Sequence, residues 1–178
     1  MVFTEGTLLM REMWVGLPRE EIVRLIRAGK GPRDFSGSIP VGSAVEKLRA
    51  WQRQGAEISY LTSRTRPDEV ETIRQVLQRY GFPQGELFFR QGDEAYRDVA
   101  ERVMPDILIE DDCESIGGEI EMTWPHIRPE LQARIKSIVV IEHGGIDHLP
   151  DDLAALARWT AAHERTMSDS QKDSTNDR

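Results

Sequence analysis

Short apolar runs alternate along the chain with segments of helical period. Residues 1–3 form the first run. Ser43 and Glu46 have the spacing of a capping box, Ala44, Leu48 and Trp51 share a face, and Gly55 follows, which predicts a helix over 43–54. Residues 58–61 read as a strand. Pro67 opens a second helix whose stripe is Val70, Ile73, Leu77 and Tyr80, with Gly81 at its end. A short apolar run at 87–89 precedes a helix through Ala95, Val99 and Val103, which stops before Pro105. Residues 107–109 read as a strand ending in acids, and 138–141 is the most strand-like run of all. Pro150, Asp151 and Asp152 then open a last helix through Leu153, Leu156 and Trp159. Strands alternating with helices of ten or more residues imply crossover units. The expected fold is α/β: a three-layer, Rossmann-like, mostly parallel sheet with a small helical insert after the first strand.

The 178 residues suit one domain, expected over 1–163. From Glu164 onward the chain is polar apart from Met167 and cannot bury enough apolar surface to offset its ordering entropy, so 164–178 reads as a disordered tail. The balance of 23 basic and 31 acidic side chains, net charge −8, argues against a generic nucleic-acid or acidic-membrane binder. No apolar stretch is long enough to span a bilayer, and no secretory leader is recognisable. A single cysteine excludes an internal disulfide framework. The chain is expected to be soluble and cytoplasmic.

Parallel sheets bind ligands at the carboxyl ends of their strands. The residues after each apolar run are Thr4-Glu5-Gly6-Thr7-Leu8, Thr62-Ser63-Arg64, Arg90, Glu110-Asp111-Asp112 and Glu142-His143-Gly144-Gly145. Carboxylates with water suit Mg²⁺, while hydroxyls, an arginine and free backbone N–H groups suit a phosphate. The edge therefore reads as a metal-plus-phosphate site.

In these segments the sequence resembles the haloacid dehalogenase-like (HAD) superfamily over roughly residues 1–150. Val2-Phe3-Thr4-Glu5-Gly6-Thr7-Leu8 looks like the first motif, where the family has Asp-x-Asp-Gly-Thr-Leu. Leu61-Thr62-Ser63 looks like the second, Arg90 stands where the family has Lys or Arg, and Ile107 to Asp112 looks like the fourth, a strand ending in paired acids. The resemblance implies a phosphoryl-transfer site. Glu5, Thr62 and Arg90 would be its catalytic residues, Thr62, Ser63 and Arg90 its phosphate ligands, and Glu5, Asp111 and Asp112 its Mg²⁺ ligands, Glu5 through its main-chain carbonyl. Glu110 is the alternative partner of Asp111, and Arg97 a weaker alternative to Arg90. The same alignment sets Phe3 on the nucleophilic aspartate and Glu5 on the acid/base. A benzyl group cannot attack phosphorus. Two expectations remain open: a HAD-like protein that binds a small phosphorylated ligand with impaired hydrolysis, and a Mg²⁺-dependent phosphohydrolase acting on such a compound.

Residues 10–40 occupy the place of the family's cap domain. One helix is expected there, opened by Pro18 with Ile22, Leu25 and Ile26 as its stripe. About thirty residues are too few for their own core, which implies a minimal flap. Met10, Met13, Trp14 and Val15 pack it onto the sheet, line the site, or form a homodimer contact. Cys113, His126, His143 and His148 match no zinc spacing, Cys113 reads as an inert thiol, and Glu142 and His143 read as strand-end decoration.

Overall fold

Successive residues of a strand point to opposite faces of its sheet, and the two cores of this protein divide on that parity. The computed structural model describes residues 1–31 and 34–160, so the tail expected at 164–178 lies outside the described residues. The strands are β1 (Val2–Phe3), β2 (Leu9–Arg11), β3 (Ser38–Pro40), β4 (Tyr60–Leu61), β5 (Leu87–Phe88), β6 (Ile107–Asp111) and β7 (Lys136–Val140). The helices are α1 (Arg19–Arg27), α2 (Ala44–Arg53), α3 (Pro67–Arg79), α4 (Tyr96–Val103), α5 (Pro129–Gln132) and α6 (Leu153–Ala157). Five strands form one parallel sheet in the order β5-β4-β1-β6-β7, with Val2 beside Tyr60 and Ile109, and Tyr60 beside Leu87.

Val2, Tyr60, Leu87, Ile109 and Ile138 face a core with Leu48 and Trp51 of α2, Ile73 and Leu77 of α3 and Leu156 of α6. Phe3, Leu61 and Leu108 face the other way, onto Val99 and Ala100 of α4 together with Ile127 and Ile135. The fold is thus the three-layer α/β arrangement that the alternation implied. The shared direction of the strands brings all five carboxyl ends to one edge. The strand order reverses at β1, which opens a crevice beside β1 and β6.

Three details differ from the sequence reading. The insert is more than a helix: β2 and β3 pair antiparallel, Leu9 with Pro40 and Arg11 with Ser38, and α1 lies between them in sequence. The Ser43 hydroxyl does not cap α2. It donates to Asp147 at 2.7 Å, as the Ser43 amide does at 2.8 Å, and this ties the start of α2 to the loop after β7. A remote carboxylate thus supplants the local capping box. Finally, β6 continues through the acids to Asp111, and Glu110 and Asp111 are both buried in it.

Candidate functional site

The turn after β1 sets the geometry. The Leu8 and Leu9 amides donate to the Thr4 carbonyl, and the Gly6 amide donates to the Leu9 carbonyl. Gly6 has φ +83°, and a Cβ there would stand 2.6 Å from Asp111 Oδ2, so only glycine fits on both counts. This close approach lets Thr7 Oγ1 donate to Asp111 Oδ2 at 2.8 Å, and the Cys113 amide donates to the other oxygen at 3.0 Å. Burial, with Glu142 and Asp112 nearby, pushes the Asp111 carboxyl up to about 6 against those hydrogen bonds.

Among the described residues, Asp111, Asp112 and Glu142 place carboxylate oxygens within 4.8 Å of one another. Glu142 is buried and accepts from the Ser115 hydroxyl and amide. Asp112 is half-buried and accepts from Arg19 of α1 at 2.7 and 3.0 Å. Arg19 also pairs with Glu114. Burial works against its charge, but Asp112 and Glu114 outweigh that and hold it above the usual arginine value. Arg27 adds a hydrogen bond to the Glu114 carbonyl at 2.7 Å. Thus α1 is clamped onto the loop after β6 by charged groups.

Glu110 points the other way. Its carboxylate accepts from the Thr123 amide at 2.7 Å and the Trp124 amide at 2.8 Å, fully buried on the α4 side of the sheet. Of the two candidates to accompany Asp111, it is Asp112 that lies in the carboxylate group, and Glu110 is absent from it. Alternation within β6 turns Glu110 away from Asp111, while Asp112 lies past the end of the strand and escapes that alternation.

The second half of the edge gathers around Glu5. Glu5 Oε1 accepts from Thr62 Oγ1 at 2.7 Å, and Oε2 accepts from the Ser63 amide at 3.1 Å and from Thr4 Oγ1 at 2.5 Å. Arg64 Nε lies 3.4 Å from Oε1. A hydroxyl, a turn amide and a guanidinium are the donors a phosphate would use, and here a side-chain carboxylate stands among them. Thr62 is fully buried beneath Glu5. Arg90 stacks over the Tyr96 ring with its carbon 4.2 Å from the centroid, and its buried Nε has no hydrogen-bond partner. Arg97 pairs with Asp98 and does not line the main cavity.

That cavity, about 460 Å³, joins both halves. Phe3 forms part of its wall and meets Tyr96 edge-on at 5.2 Å. The flap supplies Met10, Arg11, Trp14 and Phe35 to the wall, so it covers the edge, while Met13 and Val15 stay exposed. Trp14 packs edge-on at 5.3 Å against His143, whose buried side chain makes no ring hydrogen bond and whose backbone has φ +63°. Burial lowers the His143 pKa, against the pull of Glu142. Cys113 lines the cavity too, but burial and the surrounding acids push its thiol well up, away from the reactive thiolate. None of Cys113, His126, His143 and His148 belongs to the group of carboxylates.

The sequence reading missed Arg64, Arg11 and Glu142 as site residues. Arg64 was within reach, since it follows Thr62-Ser63 directly. Glu142 ended a strand with the right direction but had no partner nearby in sequence. Arg11 reaches the cavity only because β2 pairs with β3.

No family model and no curated protein matches this chain. Among solved structures, a class C acid phosphatase from Bacillus anthracis with tungstate bound is similar in fold, with a TM-score of 0.50 and 15% identity over 81% of this chain. The match spans 66% of that phosphatase's length. The likeness bears out the α/β fold, a mostly parallel five-stranded sheet flanked by helices.

Proposed function

We propose that this protein binds a small phosphorylated compound at the carboxyl edge of its sheet and hydrolyses it poorly or not at all. The observation that carries the reading is the pairing of an oxyanion-binding turn with Phe3. Donors from Thr62, Ser63 and Arg64 already hold an anion, the Glu5 carboxylate, and Arg90 stands beside them with a free buried Nε. The structural neighbour holds tungstate, a tetrahedral oxyanion like phosphate. The position that the HAD resemblance assigns to the nucleophile is a benzyl side chain packed on Tyr96. Loss of a covalent nucleophile typically removes orders of magnitude in rate.

The carboxylates fit a divalent cation. Asp111, Asp112 and Glu142 offer hard oxygen donors, and both Asp111 oxygens retain lone pairs after their single hydrogen bonds. When bound, Mg²⁺ would neutralise phosphate charge and polarise a P–O bond. For the chain's own residues, Thr7 and Gly6 fix Asp111, Arg19 positions Asp112, and Arg64 and Arg90 balance the ligand's charge.

The phosphohydrolase alternative draws on Glu5, a carboxylate already hydrogen-bonded within the oxyanion turn. The test is hydrolysis of a panel of phosphate monoesters with Mg²⁺ by the native protein, Phe3→Asp and Glu5→Gln. A silent native protein with turnover in Phe3→Asp supports the reading. Robust turnover by the native protein that Glu5→Gln abolishes establishes the alternative.

A further inference from the structure

The flap brings an arginine to the site that nothing in the phosphate reading uses. Arg11 is 7% exposed, at the end of β2, and its guanidinium carbon lies 3.5 Å from the centre of the Phe35 ring. The Arg64 carbon lies 4.3 Å from the same centre. The two guanidiniums are therefore at most about 8 Å apart, both on one aromatic ring in the cavity wall. Aromatic faces attract cations, which accounts for each contact singly. It does not account for holding two like charges together under a flap.

The neutralising groups are few. Arg11 donates to the Asp34 carbonyl, which carries no net charge, and the Asp34 carboxylate is exposed and taken by Ser36. Glu5 faces Arg64 from the other side but is shared with Thr62 and Ser63. Arg90 lines the same cavity. Arg11, Arg64 and Arg90 thus line one cavity with the Glu5 carboxylate, and a bound anion would relieve the repulsion between Arg11 and Arg64 beyond what Glu5 and Asp34 do. Burial and the Arg64 charge lower the Arg11 pKa, against the opposing pull of Glu5 and Asp34.

We infer that Arg11, Arg64 and Phe35 form a second anion subsite, so that the ligand carries a second acidic group, carboxylate or phosphate, a few bonds from its phosphate. This rests on the phosphate reading above, because Arg64 is common to both subsites. One small molecule spans them: its phosphate takes the Thr62–Ser63 turn, and its second group takes the flap arginine. A ligand bridging the two would also hold β2 and β3 onto the sheet edge.

Calorimetric titration of the full chain tests this with matched pairs. Phosphoglycolate adds a carboxylate to ethyl phosphate, and pyrophosphate adds a second phosphate to inorganic phosphate. The expected result is about tenfold tighter binding of at least one two-anion ligand over its partner, the worth of one charge-assisted contact. Which pair shows it identifies the second group. In Arg11→Met the ratio should fall to about one. Where that variant does not fold, Phe35→Leu and the native ratio decide. Equal affinities within both pairs overturn the subsite and leave the phosphate reading standing. A ratio that survives Arg11→Met overturns the assignment to Arg11, and no binding by any of the four overturns both readings.

Discussion

Removing the Glu110 carboxylate should unfold the region around the site without touching the site itself. Its two oxygens each accept one backbone N–H, from Thr123 at 2.7 Å and from Trp124 at 2.8 Å, and it is 1% exposed. These bonds tie residues 112–126 back onto β6. In Glu110→Ala both amides lose their acceptor in a buried setting. An orphaned buried donor costs about 1–3 kcal/mol, so the pair amounts to about 2–6 kcal/mol. That is a large share of the 5–15 kcal/mol, roughly, of a typical domain. Glu110→Gln keeps one acceptor and sets its amide NH₂ against the other N–H, so it should lose about half as much. Urea unfolding followed by tryptophan fluorescence reads both, with Asp112→Asn as the control. The Asp112–Arg19 pair is partly solvent-exposed, and its loss should stay within about 1 kcal/mol. A Glu110→Ala protein within about 0.5 kcal/mol of native would refute the assignment of Glu110 as an anchor and return it to the list of cation ligands.

The remaining expectations concern the same edge. Asp111→Asn should abolish most of the heat of Mg²⁺ titration while Glu110→Gln leaves it intact; equal heats for native and Asp111→Asn would remove the cation assignment. Gly6→Ala forces a Cβ into Asp111 at a left-handed position, and should cost about 1–2 kcal/mol in thermal unfolding together with Mg²⁺ affinity. Arg19→Ala should free α1 from the loop after β6, seen as faster protease cleavage within residues 10–40; unchanged cleavage would show that the flap is held by Trp14 and the β2–β3 pairing.

What the sequence reveals here follows the range of each interaction. The stripes of α2 and α3 are local, and Val70, Ile73 and Leu77 are buried in the structure as their spacing implies. Strand direction follows from the alternation, which is why the strand-end residues Glu5, Ser63, Arg90 and Asp111 share one cavity wall. Where the deciding partner is distant, the pattern is silent. Ser43 prefers Asp147 to the start of its own helix, and Glu110 serves amides thirteen and fourteen residues on. The three-residue strands β2 and β3 carry too few positions to show a period, so the sequence shows only a helical flap where the two-stranded ribbon delivers Arg11. Glu5 was legible as a departure from the HAD pattern, but its placement among the phosphate donors needs the β1 and β4 turns side by side.

A crystal of the protein soaked with inorganic phosphate and Mg²⁺ tests the central claim most directly, because it locates the anion. The account predicts a tetrahedral anion within hydrogen-bond reach of the Ser63 amide and Arg64, with Arg90 turned to it through the Nε that now lacks a partner, and with the Glu5 carboxylate displaced from Thr62. A saturated soak that leaves Glu5 on Thr62 and Ser63, with phosphate elsewhere or nowhere, would contradict it.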